Sequence, residues 1–355
     1  MRLSSSRVTS LTHRPQQDFP LWDKAGTRPS LDLQFADRRD LVDATTGSNL
    51  VDFTRASSGT YVGSDGLIKT ATTDEARFDH NPTTGESLGL LVEESRTNLL
   101  LNSATLATQN VTVTAIAHTL SFYGTGTVSL SGAHSATLVG TGAYPSRAAL
   151  TFTPTAGTLT VTVSGTVEYA NLEIDTGGSG VSFPTSYIPT TGSTATRAAD
   201  VASISGSNFS SWYRQDEGTF FADIIGFPIT SGQFPRIFEA SDGTSNNIIR
   251  SQQYGANTVR NNISAGGSFT MAQDGGMIAA RISGKTAFGV AENNCAITTN
   301  GGTPSVDNTV TLPSNLNQLG ILGTTGRTSI ANSTISRFTY WPQRLPNETL
   351  QGITQ

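Results

Sequence analysis

Residues Thr158 to Val163 read Thr-Leu-Thr-Val-Thr-Val, a strict alternation in which every position but Leu159 is β-branched. Side chains on a strand point alternately to opposite faces, so this run buries one face and leaves the other to solvent. A helix would scatter the same residues around its axis. Val111 and Val113 alternate with Thr in the same way, and Leu31, Leu33 and Phe35 alternate with Asp32 and Gln34. Gly and Pro interrupt residues 106–195 at intervals of about 8–12 residues, the spacing of β-sandwich turns. Phe220 to Ile225 is apolar on both faces, as in a central strand. Met277 to Ile282, Gln318 to Leu322 and Ile335 to Tyr340 add further strands. Only the C-terminus predicts a helix, with Asn347 as its N-cap and Glu348 in its first turn.

The fold class expected is all-β: tandem β-sandwich or jelly-roll domains with an extended N-terminal arm and a short C-terminal helix. The expected boundaries are an arm over 1–30, an irregular β-rich attachment region over 31–105, a β-sandwich over 106–195 and a jelly roll over 196–355. The arm is polar and carries Pro15, Pro20 and Pro29. Tyr187 to Gly192 reads as a linker or terminal strand.

Composition narrows the function. Charged residues make up 14% of the 355 positions, against roughly 25% in an average globular protein. The net charge is −5 and the arginines are scattered, so no basic groove for nucleic acid is present in the sequence. The lone Cys295 excludes a disulfide framework within the chain. No apolar segment has signal-peptide or membrane-span length. The expectation is synthesis in a cytoplasm and release by another route, such as lysis.

Catalytic motifs are weak. Gly85-Glu86-Ser87-Leu88-Gly89 matches a nucleophile pattern, but a turn precedes it where a strand is required. Ser283-Gly284-Lys285-Thr286 imitates the end of a phosphate loop, yet Ala279 stands where the first glycine is needed. His13, His80, His118 and His134 lack metal-ligand spacing, and Asp65 and Asp242 sit in turns without an acidic cluster. Neither a metal nor a cofactor is expected. Glu93/Glu94 and Asp216/Glu217 are sequence neighbours, which on a strand face opposite ways and so do not make a glycosidase pair.

Three stretches carry a resemblance. The first runs from Phe53-Thr54-Arg55-Ala56-Ser57 through Arg77-Phe78-Asp79-His80-Asn81-Pro82 to Leu90-Leu91-Val92-Glu93-Glu94-Ser95-Arg96-Thr97-Asn98. The second is Thr185-Ser186-Tyr187-Ile188-Pro189-Thr190 with Thr196-Arg197-Ala198-Ala199-Asp200. The third is Ile335, Phe338, Tyr340 and Leu345 before Asn347. Together they resemble a family of phage and prophage virion proteins: tail or head fibres, decoration proteins and other appendages. The resemblance implies a concanavalin A-like (laminin G-like) jelly roll over 196–355 and a location on the virion.

The expected function is therefore structural, a non-enzymatic virion surface protein acting by assembly and display. Capsid, neck or tail proteins are the expected partners, and a homotrimer the expected assembly. The alternative is an adhesin for host-surface glycans, with a glycan-cleaving tailspike behind it. Trp212, Tyr213, Tyr254 and Asn257 are the candidate carbohydrate-binding residues, as aromatic and amide groups in the jelly roll.

Overall fold

A computed structural model describes residues 20–175, 183–227, 234–255, 257–326 and 329–355. It is all-β, with antiparallel sheets arranged as two sandwiches. The larger one packs an eight-stranded sheet on a seven-stranded sheet. Glu217–Ile225 lies inside the eight-stranded sheet, between Ser283–Ala291 and Ser333–Trp341. That position explains its two-sided apolar pattern. Across the core, Phe220 stacks on Phe238 of the opposite sheet at 4.7 Å.

Residues 31–92 do not form a separate attachment region. Leu31–Leu33 pairs with one end of Ser333–Trp341 and Ser87–Val92 with the other. Asp52–Thr54 pairs with Val201–Ser205 at the edge of the seven-stranded sheet. Leu31, Phe53 and Leu90 enter one core with Phe220, Phe238 and Phe338. The jelly roll expected over 196–355 is thus completed by strands that precede residue 93.

The second sandwich is inserted into the first. It packs a four-stranded sheet against a five-stranded one, around a core that includes Leu100, Leu120, Phe122, Val128 and Leu172. In its strand Gly157–Ser164, Leu159 and Val161 are buried while Thr158 and Thr162 are exposed, as the alternation requires. The inserted unit begins with Arg96–Asn98, ahead of the expected boundary at 106, and ends with Ala195–Arg197. These two strands pair antiparallel, Asn98 opposite Ala195. The chain leaves and re-enters the larger sandwich at one place, which makes the nesting compatible with two separate cores. Tyr187 to Gly192 is no free linker: the Tyr187 hydroxyl lies 2.9 Å from Ser103 Oγ.

The extended arm is not seen over its last part. Pro20–Ala25 forms a helix that buries Leu21 and Ala25 against Trp341, Leu345, Leu350 and Ile353. Residues 1–19 of the expected arm lie outside the described residues. The C-terminal helix spans Asn347–Ile353 and is preceded by Pro346. Asn347 is therefore its first helical residue and not its cap, and its Oδ1 accepts from the Arg344 guanidinium.

Because the insert's ends are paired, replacing residues 99–194 by a two-residue turn should leave the larger sandwich folded. Circular dichroism should retain a β spectrum with one cooperative melt. Loss of cooperative unfolding would show that the two cores are inseparable.

Candidate functional site

The two sandwiches meet at a buried network of ion pairs. Arg55, Arg77, Arg96 and Arg197 are all nearly inaccessible, and arginine is rarely so unless paired. Asp200 receives Arg55 Nη1 at 3.0 Å on Oδ1 and Arg77 Nη2 on Oδ2. Glu93 Oε2 receives Arg77 Nη1 at 2.8 Å and Ser186 Oγ at 2.6 Å, with Arg197 Nη1 at 3.1 Å. Its other oxygen accepts the Ser186 N–H at 2.7 Å. Glu173, from the inserted sandwich, takes Arg96 Nη1 at 3.2 Å and the Thr185 hydroxyl at 2.7 Å. Burial alone would raise the pKa of Glu93, but Arg197 and Arg77 outweigh it and hold the carboxyl down to about 2. Burial likewise works against the Arg77 charge, and Asp200 and Glu93 raise its pKa in spite of it. The residues of the first two resemblance stretches thus converge here, as fasteners of the junction.

Beside this network the sandwiches leave a cleft of about 400 Å³, within the range of small-ligand sites, roughly 300–1,000 Å³. The larger sandwich lines it with Tyr61, Asp79, Asn81, Gly226 and Arg281; the insert supplies Tyr123, Tyr144, Arg147 and the segment from Phe183 to Tyr187. The rings of Tyr123 and Tyr144 are 5.1 Å apart and tilted by 60°. The Tyr144 hydroxyl and Arg147 Nε are both buried without a hydrogen-bond partner among the described residues. Such groups cost about 1–3 kcal/mol when left unsatisfied, so they mark a place for a ligand or ordered water. The rest of the Arg147 guanidinium is held by Thr185 O and by Ser121 Oγ at 2.8 Å.

Asp79 is a carboxylic acid of the cleft wall. Burial pushes its pKa up to about 6, against the opposing hydrogen bond from the Val62 N–H. Burial also pushes Tyr144 up to about 12. Asp79 and Glu93 differ in the way that an acid and an ionised partner must differ for glycoside hydrolysis. Glu93, however, is buried with both oxygens engaged by the arginines and Ser186, which disfavours a role as nucleophile or base. Asp216 and Glu217 are held by Arg214.

The jelly-roll residues singled out from the sequence do not gather at this cleft. Trp212 is 4% exposed and packs edge-on against Phe209 and Tyr340 in the core. Tyr213 packs with Phe209 and Phe220 in the same cluster. Burial removes Trp212 from any sugar platform, and half-buried Tyr213 is engaged by its ring neighbours. Tyr254 is exposed, but its ring carries Phe234, stacked at 5.3 Å, and the Arg260 guanidinium at 3.7 Å. Asn257 has φ +72° and its Oδ1 accepts from Gln253 Nε2. Among the described residues no group of three or more His, Cys, Asp or Glu is placed to hold a metal. Ser87 opens the strand Ser87–Val92, and Ser283 to Thr286 lies inside the strand Ser283–Ala291. Neither segment is the loop its motif would need. Tyr123, Tyr144, Arg147 and Arg281 carried no sequence signal, whereas Asp79, Asn81 and Thr185 to Tyr187 lay in marked stretches.

No family model and no curated protein matches the chain. Some solved structures are similar in part. The CBM40 domain of the Ruminococcus gnavus IT-sialidase bound to α2,3-sialyllactose is 13% identical over 40% of this chain and 84% of that one, with a TM-score of 0.34. Domain 4 of a GH43 extracellular arabinanase from Geobacillus stearothermophilus, in complex with arabinotriose, is 10% identical over 50% and 84%, with a TM-score of 0.36. A SAP-like pentraxin from Limulus polyphemus is 15% identical over 38% and 68%, at 0.29. At such scores the similarity says nothing about what the cleft binds.

The charges lead to three expectations. Arg77→Met leaves Asp200 and Glu93 short of a buried partner and should lower stability by about 3–5 kcal/mol in urea melts. The Glu93 contribution is complete above pH 4.5 and is lost as pH falls toward 2, so acid should loosen the junction. Asp79 has the opposite sign: its raised pKa favours the fold below about pH 4 and penalises it as pH rises through about 6. Asp79→Asn should therefore raise the melting temperature at pH 8 and have little effect at pH 4. A variant destabilised equally at both pH values would contradict this account.

Proposed function

We propose that this chain is a carbohydrate-binding protein whose site is the cleft between its two sandwiches. The observation that carries the reading is the composition of that cleft: tyrosine rings beside polar atoms that have no partner among the described residues. A sugar presents C–H faces that pack on aromatic rings and hydroxyls that satisfy such atoms. Display on a bacteriophage particle belongs to the same proposal and is supported by the resemblance of the three stretches. In that setting the protein is made in the host cytoplasm, assembles with capsid, neck or tail proteins, as a homotrimer, and presents the cleft to host-surface glycans. The reading is non-catalytic, because the carboxylate best placed to assist hydrolysis is consumed by arginines.

A purely structural role in the particle is the second reading. It is favoured by the burial of Arg55, Arg77, Glu93, Arg96, Arg197 and Asp200 in the junction, where they fasten the fold.

Tyr144→Ala and Tyr123→Ala test the first reading. Calorimetry against host-surface polysaccharide should show binding by the full chain and a loss of at least about tenfold in each variant, with little change in melting temperature. Trp212→Ala should do the reverse, costing about 3–5 kcal/mol of stability as a buried aromatic does. Unchanged binding in both tyrosine variants would move the site elsewhere.

A further inference from the structure

Resting on the carbohydrate reading, we propose that the sugar entering the cleft carries a carboxylate, and that Arg281 is the residue that receives it. The cleft brings together two guanidiniums from different sandwiches. Arg147 stands on Gly142–Phe152 of the insert, and Arg281 lies in the connection between Ser268–Met277 and Ser283–Ala291. Arg147 is steadied from inside the protein, with Glu173 at 3.7 Å besides its two hydrogen bonds. Arg281 has no ion pair or side-chain hydrogen bond among the described residues, although it lines the same cleft. Its guanidinium pKa is lowered, first by burial and then by the charge of Arg147. Arg281 also reaches solvent, and two like charges lining one cleft favour an anion between or beside them.

The backbone holds Arg281 where it is. Its φ is +62°, a left-handed conformation that few residues other than glycine adopt. The strain is sustained by hydrogen bonds on both sides: the Arg281 N–H to Gly226 O at 2.7 Å, and the Gly226 N–H to Ile282 O at 2.8 Å. Gly226 itself has no room for a side chain, since a Cβ there would lie 2.1 Å from Ala279 O. A planar guanidinium pairs with a carboxylate through two parallel hydrogen bonds. The tyrosine rings would take the sugar's apolar face, and the unpartnered Tyr144 hydroxyl one of its oxygens.

The test uses the full chain in calorimetry with polygalacturonate and alginate, each beside its carboxyl-reduced form. Binding is expected to favour the acidic form by at least about tenfold and to weaken with salt. Arg281→Gln should remove that preference while leaving the melting temperature and any residual binding of the reduced form unchanged, and Arg281→Lys should restore part of it. Equal binding of acidic and reduced forms would overturn the inference and leave the carbohydrate reading standing. A preference that survives in Arg281→Gln would overturn the assignment to Arg281. Binding of neither form would count against the carbohydrate reading itself, and this inference would fall with it.

Discussion

Four arginines buried between two β-sandwiches set the terms for everything else in this molecule. A buried guanidinium is tolerated when its charge is paired and most of its five donors are met. Here Asp200, Glu93 and Glu173 meet the charge, and backbone carbonyls such as Thr72 O and Glu94 O take further donors, while Arg77 Nε and Arg197 Nε have no partner among the described residues. Glu93 and Asp200 flank the insert and Glu173 lies within it, so the network ties the insert to the larger sandwich. It is a poor source of net stability compared with an apolar core of equal volume, but it is intolerant of misplacement. Specific seating follows from that intolerance.

Seating has a consequence for chemistry. Two sandwiches pinned along one line diverge beside it, and the gap becomes the cleft. One wall carries Asp79 and Arg281, the other Tyr123, Tyr144 and Arg147. Neither unit alone contains the site. The rigid junction keeps the walls at a fixed separation, which suits recognition of a small, partly apolar ligand.

Local physics was legible in the chain. The alternation at Thr158 to Val163, the two-sided apolar run at Phe220 to Ile225 and the acidic turn at Glu348 all became the elements expected of them, because period and propensity act over a few residues. The capping detail at Asn347 did not follow, since Pro346 takes the position before the helix. The polar segment over 20–30 also departed from expectation. Its few apolar residues, Leu21 and Ala25, found a partner surface made by Trp341 and Leu350, more than three hundred residues away in sequence.

The sequence by itself determined that this would be an all-β protein with several sandwich strands. Tertiary structure decided the nesting, because strand pairing between Leu31–Leu33 and Ser333–Trp341 depends on register across the whole chain and leaves no local trace. It decided the fate of the aromatic candidates as well. Trp212 has the same chemistry on a surface or in a core, and only its neighbours Phe209 and Tyr340 place it in the core. Arg281 shows the converse. Nothing in its neighbouring residues distinguishes it, and it becomes a candidate because the fold sets an unpaired cation beside Arg147 in a cleft that two distant segments enclose.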